Sequence, residues 1–170
     1  MTPGLRAVSA TLMTLAAFVL TASPSAAQGA PASPTTGAAV TTIVSAVPFA
    51  ITLAQLEQAI TGRGLTIVAK IDHSAAAQRA NLALRPTTLV IAGNPAAGTP
   101  LMLTDQTMGV ELPLRFLVWQ GEDGRARVSY DPIKAIAARH GVAGRDELLM
   151  RMSTAIEAIV AAATVQNKTP

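Results

Sequence analysis

Leu84-Arg85-Pro86-Thr87-Thr88-Leu89-Val90-Ile91-Ala92-Gly93-Asn94-Pro95-Ala96-Ala97-Gly98-Thr99-Pro100-Leu101-Met102 joins a β-branched apolar run to a passage dense in Gly and Pro. A second apolar run, Leu114-Arg115-Phe116-Leu117-Val118-Trp119, follows a polar interval and Pro113. Pro86 suits the first position of a strand, where a missing amide donor is tolerated, so Thr87 to Ala92 reads as a strand. Gly93-Asn94-Pro95 must turn, and Gly98 permits a second turn. Thr99 followed by Pro100 has the form of a hydroxyl cap with proline at the first helical position. A helix is therefore expected from there to about Met108, ended by Gly109. Pro113 introduces a strand over Leu114 to Gln120, and Gly121-Glu122-Asp123-Gly124 turns it back into Arg125 to Tyr130. Loops held on a rigid scaffold carry binding and catalysis, which makes Gly93 to Pro100 the expected functional surface.

Upstream, Thr41 to Phe49 is β-branched and reads as the first strand. Thr52-Leu53-Ala54-Gln55 fits a capping box that opens a helix, with Leu53, Leu56 and Ile60 on its core face. Gly62 or Gly64 supplies a left-handed stop. Leu65 to Ile71 is a strand, followed by a short alanine-rich helix capped by Ser74 and ending near Asn81. Downstream, Ala126, Val128 and Tyr130 alternate with Arg125, Arg127 and Ser129, which predicts one wet face. Asp131-Pro132 caps a helix ending at Arg139-His140-Gly141. The last helix runs from about Arg145 to Thr164 with a stripe of Leu148, Leu149, Met152, Ile156, Ile159 and Val160. The fold class is α+β. One largely antiparallel five-stranded sheet is expected in the order β-α-β-β-β-β-α with short helical inserts, two main helices on one face.

Residues 1–27 carry the three parts of an export signal: Arg6, the apolar run Ala7 to Ala22, and small residues at Ser25-Ala26-Ala27. The apolar run is shorter than the roughly 20 residues that a membrane-spanning helix needs. Residues 28–39 contain nothing large and read as a flexible linker, 40–166 as one domain, and 167–170 as a disordered tail. The expectation is an exported protein, periplasmic or secreted, with no membrane association once the signal is removed. The net charge of +3 comes from 13 Lys and Arg against 10 Asp and Glu, one of the cations being Arg6. The remaining arginines are scattered singly, so no nucleic-acid partner is expected. With no cysteine, disulfides, thiolate metal sites and cysteine nucleophiles are excluded.

A set of short spaced motifs runs through the domain: Ile71-Asp72-His73, Leu84-Arg85-Pro86-Thr87, Gly93-Asn94-Pro95, Gly98-Thr99-Pro100-Leu101-Met102, Leu112-Pro113-Leu114, Val118-Trp119 and Ser129-Tyr130. In these the chain resembles the domain-of-unknown-function family numbered 302, over roughly Val40 to Ala163. The resemblance implies a TATA-binding-protein-like fold of one strand, a helix, four strands and a helix. It implies no activity.

The candidate ligand-binding residues are Asp72, His73, Arg85, Asn94, Thr99, Met102, Trp119 and Tyr130. A carboxylate beside an imidazole can set its tautomer and basicity, but neighbours on a strand point to opposite faces, so Asp72 and His73 need a turn to pair. The amides beyond Pro100 form a weak anion site with Arg85 nearby. Trp119 and Tyr130 face each other across a hairpin, either as a cross-strand pair or as a pocket lining. Asp72, His73, Arg85, Asn94 and Thr99 are expected on one side of the domain, because the two strands they follow or precede are consecutive. His140 reads as a cation on the last carbonyls of its helix. No serine has the context of a nucleophile elbow.

Three functions compete on this evidence. The leading one is a binding module for a small molecule or protein partner at the Gly93–Pro100 loop, with no cofactor and a homodimer left open. The second is a small enzyme using Asp72 and His73 as acid–base with Arg85 holding an anionic substrate. The third is a copper(I) protein using His73 with the thioethers of Met102 and Met108, although two histidines without cysteine give no ready-made metal site.

Overall fold

The computed structural model describes residues 40–166. The signal, the linker and the tail expected at 1–27, 28–39 and 167–170 lie outside the described residues. Five strands, β1 (Thr41–Val44), β2 (Thr66–Asp72), β3 (Thr87–Gly93), β4 (Leu114–Gln120) and β5 (Ala126–Tyr130), form one sheet in the order β1-β5-β4-β3-β2. Every neighbouring pair is antiparallel. The helices are α1 (Phe49–Thr61), α2 (His73–Arg79), α3 (Pro95–Met102), α4 (Ile133–Arg139) and α5 (Asp146–Thr164), with a 3-10 turn at Gln106–Val110. This is the α+β architecture expected from the residue pattern.

The alternation along β3 and β4 decides which face is dry. Val90, Ala92, Leu114, Phe116, Val118 and Val128 project to one side and are buried. Leu56 and Ile60 of α1, Ile133 and Ile136 of α4, and the α5 stripe close over them in a single core. The α5 stripe is the one read from its 3.6-residue period, extended to Ala163. On the opposite face, register places Thr42, Ser129, Leu117, Leu89 and Ile71 in one row across the sheet. Ser129 was expected to be wet, yet it is buried. The Trp119 indole reaches along the face and donates to its Oγ at 2.8 Å, and Thr42 Oγ1 sits 2.8 Å from the same atom.

Several boundaries differ from the expectation for identifiable reasons. β1 stops at Val44, and Phe49 already belongs to α1. Thr52 is therefore inside the helix rather than capping it. Its hydroxyl is buried and lies within hydrogen-bond distance of Ser45 Oγ and of the carbonyls of Val47 and Pro48, so no capping box forms. Of the two glycines expected as the stop of α1, Gly64 is the left-handed one. Asp72, not Ser74, caps α2: its carboxylate accepts from the Ala75 amide and from the Ser74 hydroxyl. Asp131 does not cap α4, whose N-cap is Pro132. Its carboxylate lies 3.9 Å from Arg115 and 3.7 Å from Arg139 instead.

The largest correction falls on the central stretch. α3 starts at Pro95, one turn before the expected start, and Gly98, Thr99 and Pro100 are within it. Asn94 supplies the cap, its Oδ1 accepting from the Ala96 amide at 2.9 Å. Pro95 then takes the proline-tolerant first position. The helix ends by Met102, and Asp105 caps the separate 3-10 turn that follows.

Candidate functional site

Because α3 begins directly after β3, it stands at the end of the sheet where Gly93 pairs with Thr66. The N-terminal half of α5 stands at the same end. Between them is a groove of about 540 Å³. One wall is Pro95, Ala97, Gly98, Thr99 and Met102 of α3; the other is Leu148, Arg151, Met152, Ala155, Ile156 and Ile159 of α5. Leu112, Pro113 and Leu114 with Leu65, Thr66 and Val68 complete it. Small residues keep it open: Ala97, Gly98 and Ala155 add almost no bulk. A Cβ on Gly98 would already touch Leu112 Cδ1 at 3.4 Å. The lining is predominantly carbon. Among the described residues its polar members are Thr66, Asn94, Thr99 and Arg151, of which Arg151 carries a charge.

The eight residues predicted from sequence divide. Asn94, Thr99 and Met102 line the groove. Asp72, His73 and Arg85 do not, and they lie at the other end of the sheet. The reason is the antiparallel pairing of β2 and β3: Thr66 pairs with Gly93, while Asp72 pairs with Thr88. The end of β2 therefore meets the start of β3, and the expected convergence of His73 with Asn94 fails. Trp119 and Tyr130 do not pair either. Trp119 is opposite Arg127 on the open face, with the guanidinium 5.2 Å from the ring centroid. Tyr130 is opposite Phe116 on the core face, the ring centroids 6.4 Å apart.

The chemistry of the Asp72 end is that of a helix cap. The Ala75 amide and the Ser74 hydroxyl hold the Asp72 carboxyl below the usual carboxylate range. His73 is exposed in the first turn of α2. Arg85 donates through Nε to the Gln120 carbonyl and stands 3.7 Å from Glu122. The anion site expected beyond Pro100 is absent from this geometry: Pro100 is inside α3, and the amides of Leu103, Thr104 and Asp105 bond back to Thr99 and Leu101. The copper reading fails on placement. Met102 and His73 are at opposite ends of the β2–β3 pair, and Met108 is fully buried in the core. Among the described residues there is no cluster of three or more His, Cys, Asp or Glu able to hold a metal ion.

A second polar grouping surrounds Glu111, which directly precedes the groove residue Leu112. Glu111 accepts from Arg115 at 2.7 Å and from Arg139 at 3.1 Å, and His140 Nε2 is 3.5 Å from it. His140 Nδ1 is 2.7 Å from Thr107 Oγ1, which also donates to Asp105. His140 is the C-cap residue of α4, its backbone amide donating to the Ala137 carbonyl, while its ring bridges to the 3-10 turn through Thr107. Burial pushes the Glu111 carboxyl up. Hydrogen bonds from Arg139 and His140, with the charges of Arg139 and Arg115, outweigh this and hold it below its usual value.

The residues missed by sequence reasoning are those α5 gives to the groove: Leu148, Arg151 and Ala155. A signal existed, since Leu148, Arg151, Ala155 and Ile159 recur at helical spacing along one edge of the stripe.

Fold and groove together define a class: a two-layer α+β domain with an apolar cleft at one end of its sheet. The model of one family, described as "Domain of unknown function DUF302", matches residues 40–159. The chain belongs to that family. It is similar to a solved structure titled as an uncharacterized conserved protein DUF302 from Bacillus stearothermophilus, with a TM-score of 0.67 and 14% identity. That alignment covers 73% of this chain and 97% of the other, and at this identity it shows the fold. Among curated proteins the chain is 34% identical over 101 residues to "Fluoride-specific ion channel FluC 1" of Brucella suis biovar 1 (strain 1330). It is equally similar to "Fluoride-specific ion channel FluC 2" of Brucella melitensis biotype 1 (strain ATCC 23456 / CCUG 17765 / NCTC 10094 / 16M). The matches take in 59% of this chain but only 40% and 37% of those proteins. The chain thus spans about two fifths of the relatives' length. Among the described residues no helix is long and apolar enough to cross a membrane.

Proposed function

We propose that this chain is an exported binding module that takes a small, largely apolar molecule into the groove between α3 and α5. The observation that carries the reading is the groove itself. Its volume of about 540 Å³ falls within the roughly 300–1,000 Å³ of small-molecule sites. Its lining is carbon with a few polar groups at defined places, the pattern by which such sites bind and orient a ligand. Export rests on the Arg6–Ala27 pattern, and predicts a mature chain that begins at Gln28 by N-terminal sequencing. The acid–base alternative has less behind it: Asp72 serves as the α2 cap, and Arg85 is held by the Gln120 carbonyl and Glu122.

The test uses N-phenyl-1-naphthylamine, a neutral dye that brightens in apolar surroundings. The native protein should give a saturable, one-to-one rise in emission. Ala155→Phe and Ala97→Phe, each placing a ring in the groove, should remove it, while Ala161→Phe on the exposed side of α5 should not. Equal emission from all four proteins would overturn the assignment.

A second reading rests on the 34% identity to proteins named as fluoride-specific ion channels: a domain of this kind would work alongside such a channel. Fluoride itself does not suit the groove, because a small, strongly hydrated anion would exchange its whole water shell for a lining that is mostly carbon with a few scattered donors. Unchanged fluoride tolerance in cells lacking this chain would remove the second reading.

A further inference from the structure

We propose that the ligand is a monoanionic amphiphile: an extended apolar chain ending in one carboxylate, with its head on Arg151 and its tail along α5 toward Ile159. This rests on the reading of the groove as a small-molecule site. Charge selects the head. Among the described residues Arg151 is the only charged side chain in the lining, and no acid faces it from within the groove. Its partner is Glu147, one helical turn back, whose side chain is 89% exposed. Arg151 is itself 63% exposed, and a solvent-screened pair of this kind is weak, so a carboxylate entering from the apolar side can take the guanidinium over. The planar guanidinium suits a carboxylate in a two-bond fork. A single cation matches one negative charge and would leave a dianionic phosphate monoester half-compensated.

Thr66, Asn94 and Thr99 are the further donors in the same lining, and the last two stand at α3. Asn94 spends its Oδ1 on the α3 cap, while its Nδ2 makes only a 3.5 Å contact with the Gly64 carbonyl. Thr99 is exposed on the α3 wall. The tail is selected by length. Arg151 to Ile159 is eight residues of helix, about 12 Å at 1.5 Å per residue, close to an extended chain of about ten carbons. Ala155 and Ile156 lie along that path, and among the described residues no charged side chain beyond Arg151 lines it.

The experiment compares decanoate, 1-decanol and decylammonium, all below their aggregation limits, as competitors of N-phenyl-1-naphthylamine, with direct calorimetric titration of decanoate beside it. Decanoate should compete at least tenfold more strongly than decanol, and decylammonium more weakly than either. Arg151→Gln should bring decanoate to within about threefold of decanol, each competitor being referred to that variant's own dye affinity. Equal competition by decanoate and decanol, or an Arg151→Gln protein that keeps the tenfold preference, overturns the anionic head yet leaves the apolar groove standing. Absence of both dye binding and decanoate heat overturns the groove reading and this one together. Decanoate heat that Arg151→Gln abolishes supports the proposal even where the dye fails to bind.

Discussion

Removing the cap of α3 separates two accounts of the central stretch. If the helix starts at Pro95, Asn94→Ala deletes the Oδ1 that accepts from the Ala96 amide at 2.9 Å. Loss of such a cap costs about 1 kcal/mol, within a range of roughly 0.5–2. Thr99, by contrast, is an exposed residue in the second turn of the helix. Thr99→Ala should therefore gain up to roughly 0.5 kcal/mol from the better helix propensity of alanine. The two substitutions should differ by about 1.5 kcal/mol in opposite directions. Asn94→Ala alone should lower Tm by roughly 3–5 °C for a domain of this size. Urea unfolding followed by the single tryptophan reads the difference, since Trp119 lies on the open face and away from either substitution. The reverse order, with Thr99→Ala the more damaging, would place the helix start at Pro100 and refute the assignment of Asn94 as cap.

Three further outcomes are expected. The lowered Glu111 carboxyl adds stability that is fully present above its usual value of 4.5 and lost as pH falls through the lower folded value; Glu111→Gln should flatten this acid limb in a Tm series from pH 7 to 3, and an unchanged limb would exclude Glu111 as its source. Ser129→Ala leaves the Trp119 indole without its acceptor and breaks the link to Thr42, so urea unfolding should show a loss on the order of 1–2 kcal/mol, against less than 0.5 for a surface change. Gly98 sits inside α3 without a left-handed φ, so Gly98→Ala should be neutral or stabilise by roughly 0.5–1 kcal/mol in thermal melts, where a loss above about 1 kcal/mol would indicate a turn at that residue.

The strands and long helices were legible because their signals are periodic and repeated. The bounds read for β4, Leu114 to Gln120, are those observed, since Pro113 and Gly121 punctuate both ends. The α5 stripe followed from six apolar residues at helical spacing. Helix starts were less legible, because caps compete. Asp72 and Ser74, or Asn94 and Thr99, can each serve, and only the tertiary position of the preceding strand chooses. In both cases the earlier residue won, because the chain leaves the strand directly into the helix. Thr52 shows the same ambiguity from the other side: the hydroxyl that suits a cap instead meets Ser45 and the carbonyls of Val47 and Pro48 from inside the helix.

The site was half legible, and the missing half follows from topology. Consecutive strands joined by a short connection are antiparallel, so residues after β2 and residues after β3 must emerge at opposite ends; the pairs Thr66–Gly93 and Asp72–Thr88 state this directly. Proximity in sequence therefore argued against the convergence of His73 and Asn94. What Asn94, Thr99 and Met102 meet instead comes from fifty residues downstream. Met152, Ile156 and Ile159 belong to both the core and the groove lining, so the groove is continuous with the space between the two layers, left unfilled where α3 offers Ala97 and Gly98. That continuity gives the two uses of this surface opposite signs. If the space is only incomplete packing, Ala155→Phe adds buried area and should raise Tm with nothing lost. If it is a site, the same substitution should remove the ligand-induced rise in Tm, because a ligand stabilises only by binding the native state. A variant that melts higher alone but no longer responds to decanoate is the result that the structure predicts.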